Sequence, residues 1–188
     1  NVPLYGPVVF AANHISYLDP PLMGCLIPRV VNFMARHTLF EAPLFGSLIR
    51  KFNAVPVDRD SGAAGLRAIL DKLTEGGAII LFPEGTRSLD GRPLPAKPGV
   101  GMTILKSTAP VVPVKLIGSF EALGRHQRFP RPRKIIVCFG AVETFTAARA
   151  EAASCPRPRL KALYQEVSDE IMRQVAALDA NSAKPGAK

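Results

Sequence analysis

Apolar, strand-like runs that alternate with segments of helical period predict an α/β fold: one domain on a mixed, mostly parallel sheet with helices on both faces. Two further observations support it. The run Val8–Ala12 is apolar throughout and Ala78–Phe82 reads as a second buried run, the pattern of strands covered on both faces. The chain, at 188 residues with 47% hydrophobic and 21% charged side chains, fits a single globular domain with a sizeable core and not a disordered segment.

Taken in order, Val8 to Ala12 is the first strand, and it ends abruptly at Asn13-His14. Asp19 suits a helix N-cap and Pro20 the first helical position, where a missing N–H costs nothing, so Pro21 to Ile27 reads as a short helix stopped by Pro28. Val30 to Ala35 is a strand, Arg36 to Glu41 a polar connection, and Pro43 to Lys51 has helical spacing through Leu44, Phe45, Leu48 and Ile49. Those apolar positions are either core or a membrane-facing stripe. Ala54 to Val57 is a short strand that runs into Asp58-Arg59-Asp60. Ala63 to Thr74 places Leu66, Ile69, Leu70 and Leu73 on one helical side, and Gly76-Gly77 closes it. After the strand Ala78–Phe82, a Pro- and Gly-rich loop extends to about Gly101, and Met102 to Lys106 is predicted as a short helix. Val111 to Ile117 and Ile135 to Phe139 are strands separated by an irregular stretch, residues 144 to 158 read as an Ala- and Pro-rich linker, and Leu160 to Leu178 closes the domain as a helix with Leu163, Val167, Ile171 and Val175 on its inner face. The domain is thus expected over residues 1–179, with 180–188 a disordered tail.

In sheets of this type functional residues collect beyond the strand ends. Here three ends carry conspicuous polar groups: His14 with Asp19 after the first strand, Arg59 after the third, Glu84 and Arg87 after the fourth. A turn can bring the Asp19 carboxylate to one imidazole nitrogen of His14 and leave the other as a base; taken alone, the spacing favours Asp19 as only a cap and His14 as only filling a turn.

The formal charge of +9 points to polyanionic company, whether nucleic acid, anionic lipid or a phosphorylated substrate. No RNA-recognition, zinc-finger or basic-helix signature is present, so nucleic acid is not expected as a partner. Much of the excess charge lies in Arg125-His126-Gln127-Arg128-Phe129-Pro130-Arg131-Pro132-Arg133-Lys134, which either faces anionic headgroups or phosphates or is a solvated loop. The three cysteines are scattered, without a C-x-x-C; this argues against a disulfide framework, and Cys25 and Cys138, in apolar runs, are expected in the core. There is no signal peptide and no apolar run of about 18 residues that could span a bilayer. The chain starts at Asn1, almost at its first strand, and an upstream segment is expected to lie outside it.

Four blocks in order, Asn13-His14-x-x-x-x-Asp19, Val57-Asp58-Arg59, Phe82-Pro83-Glu84-Gly85-Thr86-Arg87-Ser88 and Val112-Pro113-Val114, resemble those of the glycerolipid acyltransferases, and most closely the 1-acyl-sn-glycerol-3-phosphate (lysophosphatidic acid) acyltransferase type. The first and third blocks match fully. The second departs from the family, with Asn53 where glycine is frequent and Pro56 where phenylalanine is.

The resemblance implies that His14 is a general base for a glycerol hydroxyl, that Asp19 orients it, and that Arg59, Glu84, Gly85, Thr86 and Arg87 bind the acceptor's phosphate and glycerol, with Lys97 and Gly99 a lesser addition. Guanidinium forks match phosphate oxygens, and Glu84 could hold Arg87 or the acceptor's hydroxyl. No enzyme nucleophile is needed; no G-x-S-x-G elbow occurs, and Ser16 is expected to hydrogen-bond within its turn. No cofactor or metal is implied, only acyl-CoA or acyl-carrier protein as co-substrate. The implied partners are a lysophospholipid and a membrane surface with anionic lipid. The implied place is the cytoplasmic face of a membrane, peripheral or anchored by an N-terminal segment outside this chain. The alternatives are another lysolipid or glycerol 3-phosphate as acceptor, a metal-dependent phosphoesterase using His14, Asp19 and Glu84, and a non-catalytic lipid-binding module of the same fold.

Overall fold

The first strand of the chain is central in the sheet, and every residue of it is buried. β1 (Val8–Ala12) pairs in parallel with β4 (Ala78–Leu81) on one side and β5 (Val111–Ile117) on the other. β2 (Val31–Arg36) lies against β4 and β3 (Ala54–Val57) against β2, both parallel, while β6 (Ile136–Phe139) runs antiparallel along β5. The order is β3-β2-β4-β1-β5-β6 in a six-stranded sheet among the described residues, which are 2–57 and 62–180 of this computed structural model. Asp58 to Ser61, Arg59 included, and the tail 181–188 lie outside them, as do the side chains of Leu44, Phe45 and Leu48.

Strand alternation divides the core in two. Val8, Phe10 and Ala12 point to one face, where Met23 of α1 (Asp19–Leu26), Phe40 of a 3-10 turn (His37–Phe40) and Ile49 of α2 (Pro43–Lys51) cover them. Val9 and Ala11 point to the other, under Leu73 of α3 (Gly62–Thr74), Val100 and Ile104 of α4 (Pro98–Lys106), and Val167, Ile171 and Val175 of α7 (Arg157–Ala177). Each fully buried Val, Ile or Phe contributes about 1.5–3 kcal/mol. The layers are those the apolar strands predict.

Five local expectations are corrected. α1 starts at Asp19, with Leu18 at the N-cap and no side-chain cap, because the Asp19 carboxylate is drawn back into the preceding turn. α4 starts at Pro98 and not Met102; its two glycines hide the helix from propensity, and Gly101 is there for contact. A Cβ on Gly101 would lie 2.0 Å from the Tyr164 carbonyl oxygen of α7, and its N–H donates to Ser168 Oγ at 2.8 Å. The stretch read as a linker contains α6 (Thr146–Ser154), which buries no residue and so shows no amphipathic signal. It is docked through Arg149, whose Nε and Nη2 donate to the carbonyls of Ile104 (3.2 Å) and Ala109 (2.6 Å), and burial lowers the pKa of that guanidinium. A short α5 (Ser119–Leu123) occupies the stretch read as irregular after β5. Cys138 is buried as expected, but Cys25 is exposed, and all three cysteines are free.

Candidate active site

The carboxyl ends of the parallel strands form one rim of the sheet, and the first and third motif blocks meet there. Asn13 extends the ladder past β1: its amide donates to the Leu116 carbonyl (3.0 Å) and accepts the Leu116 N–H (2.7 Å). Beyond it the chain wraps around the Asp19 carboxylate. Oδ2 of Asp19 accepts the N–H groups of Ile15 and Ser16, each at 2.7 Å, and faces His14 Nδ1 at 2.9 Å. Asp19 is wholly buried, whereas the His14 side chain keeps 16% of its surface exposed. An ionised carboxylate only accepts, so this contact assigns the proton to Nδ1 and leaves the Nε2 lone pair outward. The imidazole also stacks on the Phe82 ring, with centroids 4.0 Å apart and planes 18° apart, which fixes its orientation.

The third block is tied to the first through the backbone. Ser88 N–H donates to the His14 carbonyl (2.9 Å), and the His14 N–H donates to Glu84 Oε1 (2.8 Å). Glu84 Oε2 accepts the Leu94 N–H at 3.0 Å, so this 1% exposed carboxyl holds the His14 backbone and the following loop together. Burial raises its pKa; the two N–H donors counter that, and the Asp19 charge adds to the rise. The ion pair with Arg87 foreseen for it is not formed: Arg87 instead lays its guanidinium over the Tyr17 ring, 3.4 Å from the centroid, with Nη1 buried and without a hydrogen-bond partner. A buried cationic donor without an acceptor is costly unless an anion meets it.

Gly85 adopts φ +66°, and a Cβ there would lie 3.0 Å from Lys97 Cδ. The left-handed φ is what favours glycine here, and the Lys97 side chain that crosses the loop would have to give by a few tenths of an ångström for a Cβ. Lys97 stands at the head of α4, its N–H bonded to the Pro83 carbonyl at 2.8 Å. Thr86 is half-buried between Gly85 and Arg87. Of the predicted site residues the structure therefore brings together His14, Asp19, Glu84, Gly85, Thr86 and Arg87; Arg59 lies outside the described residues, though β3, which precedes it, ends on the same rim. Ser16 is engaged in the turn, with Oγ donating to the Leu123 carbonyl (2.7 Å) and accepting the Leu18 N–H (3.0 Å).

Two participants escape the sequence reading. Ser119, buried at the start of α5, donates its hydroxyl to Asp19 Oδ1 at 2.7 Å across 100 positions. Tyr17 supplies the platform for Arg87. The rule that polar groups gather at strand ends would have found Ser119, two residues past β5; nothing local marks Tyr17. Among the described residues no group of three or more His, Cys, Asp or Glu side chains is placed to hold a metal ion, and no helix is long and apolar enough to cross a membrane.

The sequence matches the profile of a family described as Acyltransferase over residues 1–117. It is 33% identical over 133 residues to a 1-acyl-sn-glycerol-3-phosphate acyltransferase of Cocos nucifera, covering 69% of this chain and 43% of that protein. It is 32% identical over 120 residues to one of Bacillus subtilis, covering 63% and 59%. The crystal structure of the 1-acyl-sn-glycerophosphate acyltransferase PlsC of Thermotoga maritima superposes with a TM-score of 0.69 at 26% identity, over 96% of this chain and 70% of that one. The chain thus spans about half the length of the curated relatives it matches. With the first and third blocks meeting on one rim of a matching fold, the chain belongs to the acyltransferase family.

Proposed function

We propose that this chain transfers a fatty acyl group from a thioester, acyl-CoA or acyl-carrier protein, to the free hydroxyl of 1-acyl-sn-glycerol 3-phosphate, with His14 as general base. The observation that carries the reading is the His14–Asp19 pair: a partly exposed imidazole whose Nδ1 is held by a wholly buried carboxylate. His14 Nε2 takes the hydroxyl proton as the acceptor oxygen attacks the thioester carbonyl. Asp19 stabilises the imidazolium that forms, as in the serine triad but with the substrate hydroxyl in the place of serine. The tetrahedral intermediate expels the thiolate, which takes the proton from His14, so the products are an ester and a free thiol. General-base assistance of this kind contributes about 10²–10⁴-fold.

Arg87, with Arg59, meets the acceptor phosphate; the unpartnered Nη1 supports this role. Lys97 adds a cation over Gly85, and Thr86 a hydroxyl beside them. Glu84 acts on the acceptor side through the backbone it fixes. The acceptor is a membrane lipid, so the reaction belongs at a membrane surface, and the cytoplasmic face is the one where acyl-CoA and acyl-carrier protein would meet it. A phosphoesterase using Asp19 as a metal ligand is disfavoured, because both oxygens of that carboxylate already accept hydrogen bonds.

The test is free-thiol release from acyl-CoA, and then from acyl-carrier protein, with and without lysophosphatidate. Acceptor-dependent release is expected with at least one donor. Release that ignores the acceptor would make the chain a thioesterase, and silence with both donors in vesicles would reduce it to a lipid-binding module.

A further inference from the structure

The topology places one unassigned segment beside the site. β5 runs parallel to β1 and β6 antiparallel to β5, so the whole connection from Gly118 to Ile135 lies at the rim that carries His14, Glu84 and Arg87. That connection is bound to the catalytic turn. The Leu123 carbonyl accepts the Tyr17 N–H (3.3 Å) and the Ser16 hydroxyl (2.7 Å), the Ala122 carbonyl accepts the Arg131 N–H (2.7 Å), and the Gln127 N–H closes a turn on Gly124 (3.1 Å).

Its charge is one-signed. Arg125, Arg128, Arg131, Arg133 and Lys134 are all exposed, and no acid occurs between Glu121 and Glu143. Five cations in ten positions are over half of the chain's excess of nine. None of the five takes part in the ion pairs formed among the described residues, which use Arg92, Arg159, Arg173, Lys72 and two histidines. In their midst Phe129 is 79% exposed. Exposed Tyr17, Leu39 and Leu89 follow β1, β2 and β4 and so share this rim.

We propose that the segment from Arg125 to Lys134 is a docking element for an anionic lipid surface, with its cations on the headgroups, Phe129 at the acyl boundary, and the mouth beside His14 turned to the bilayer. Cations unpaired within the chain attract anionic headgroups additively and within a Debye length, and an aromatic ring among them adds a short-range apolar hold. An acidic protein would satisfy the arginines but gives no reason for exposed Phe129 or for the three exposed apolar side chains that follow β1, β2 and β4. The inference rests on the acyl-transfer reading only for why a lipid should be met at this rim.

The test is co-sedimentation of the whole chain with vesicles of phosphatidylcholine alone and of phosphatidylcholine with about one third phosphatidylglycerol. Three proteins are compared: the native chain, a variant with Arg125, Arg128, Arg131, Arg133 and Lys134 all replaced by Gln, and Phe129→Ser. Binding to the anionic vesicles is expected to exceed that to neutral ones at least tenfold and to weaken with salt. It should fall at least tenfold in the five-fold variant and several-fold in Phe129→Ser, with thermal midpoints unchanged. Equal binding by native chain and five-fold variant would overturn the proposal, as would no preference for anionic vesicles. Binding to acyl-carrier protein and not to vesicles would overturn it in favour of a protein partner. Vesicle binding needs no turnover, so a chain that docks but transfers no acyl group would defeat the acyl-transfer reading and leave this one standing.

Discussion

Asp19 Oδ2 meets three donors, and its companion oxygen takes a fourth from a residue 100 positions away. Hydrogen bonds to a charged acceptor contribute about 1.5–3 kcal/mol each, so this carboxylate holds the turn and aims the imidazole at once. In the proposed reaction Ser119 would act through Asp19, as a positioning residue. Ser119→Ala should lower kcat about tenfold, an effect near 1.4 kcal/mol, with the acceptor KM unchanged, and Ser119→Thr should restore most of it. A merely structural serine would lower the thermal midpoint without that split. Arg87 depends similarly on Tyr17: removing a cation–π contact worth about 0.5–2 kcal/mol through Tyr17→Leu should raise the acceptor KM several-fold and leave kcat alone. Glu84 makes a pH prediction. Burial raises its pKa above the ordinary 4.5, so the neutral form stabilises the fold fully below that value, and the contribution is lost as pH rises through the raised one. Subtracting the denaturation free energies of Glu84→Gln from those of the native chain across this range should reveal a component that falls as pH rises. The residues of the first and third blocks were legible in the sequence because adjacent polar side chains interrupt apolar strands. Ser119 and Tyr17 were not, since their partners are set by how distant loops fold onto one another.

At the scale of elements, the strands and the helices α1, α2, α3 and α7 were legible, whereas α5 and α6 were missed and α4 was shortened. β1, β4 and β5 announced themselves because strands covered on both faces must be apolar. α7 did so through Leu163, Val167, Ile171 and Val175, all buried. α6 gave no such signal, because Arg149 and not an apolar stripe attaches it. α4 was shortened in the reading by glycines that exist for the sake of α7. Gly101→Ala would drive a methyl group into the Tyr164 carbonyl, and the helices would have to part; urea denaturation should show a loss of about 1–3 kcal/mol. Gly99→Ala, with open space around it, should be neutral or slightly stabilising, which makes it the control.

At the scale of the whole molecule, one sheet delivers the ends of β1, β4 and β5 to a single rim, where the first and third blocks meet. The opposed faces of β1, the strand that leads to His14, are spent on two cores, as are those of β4. The His14 turn therefore follows directly on a wholly buried strand, while the charged 125–134 segment is exposed at the same rim and the half-buried Arg87 lies over Tyr17. The most direct test of acyl transfer by His14 is formation of diacylglycerol phosphate by His14→Ala and the native chain at saturating lysophosphatidate and thioester, with acceptor binding measured in parallel. The account predicts a fall of about 10³-fold or more in kcat with acceptor binding retained. Turnover in His14→Ala close to native would contradict it.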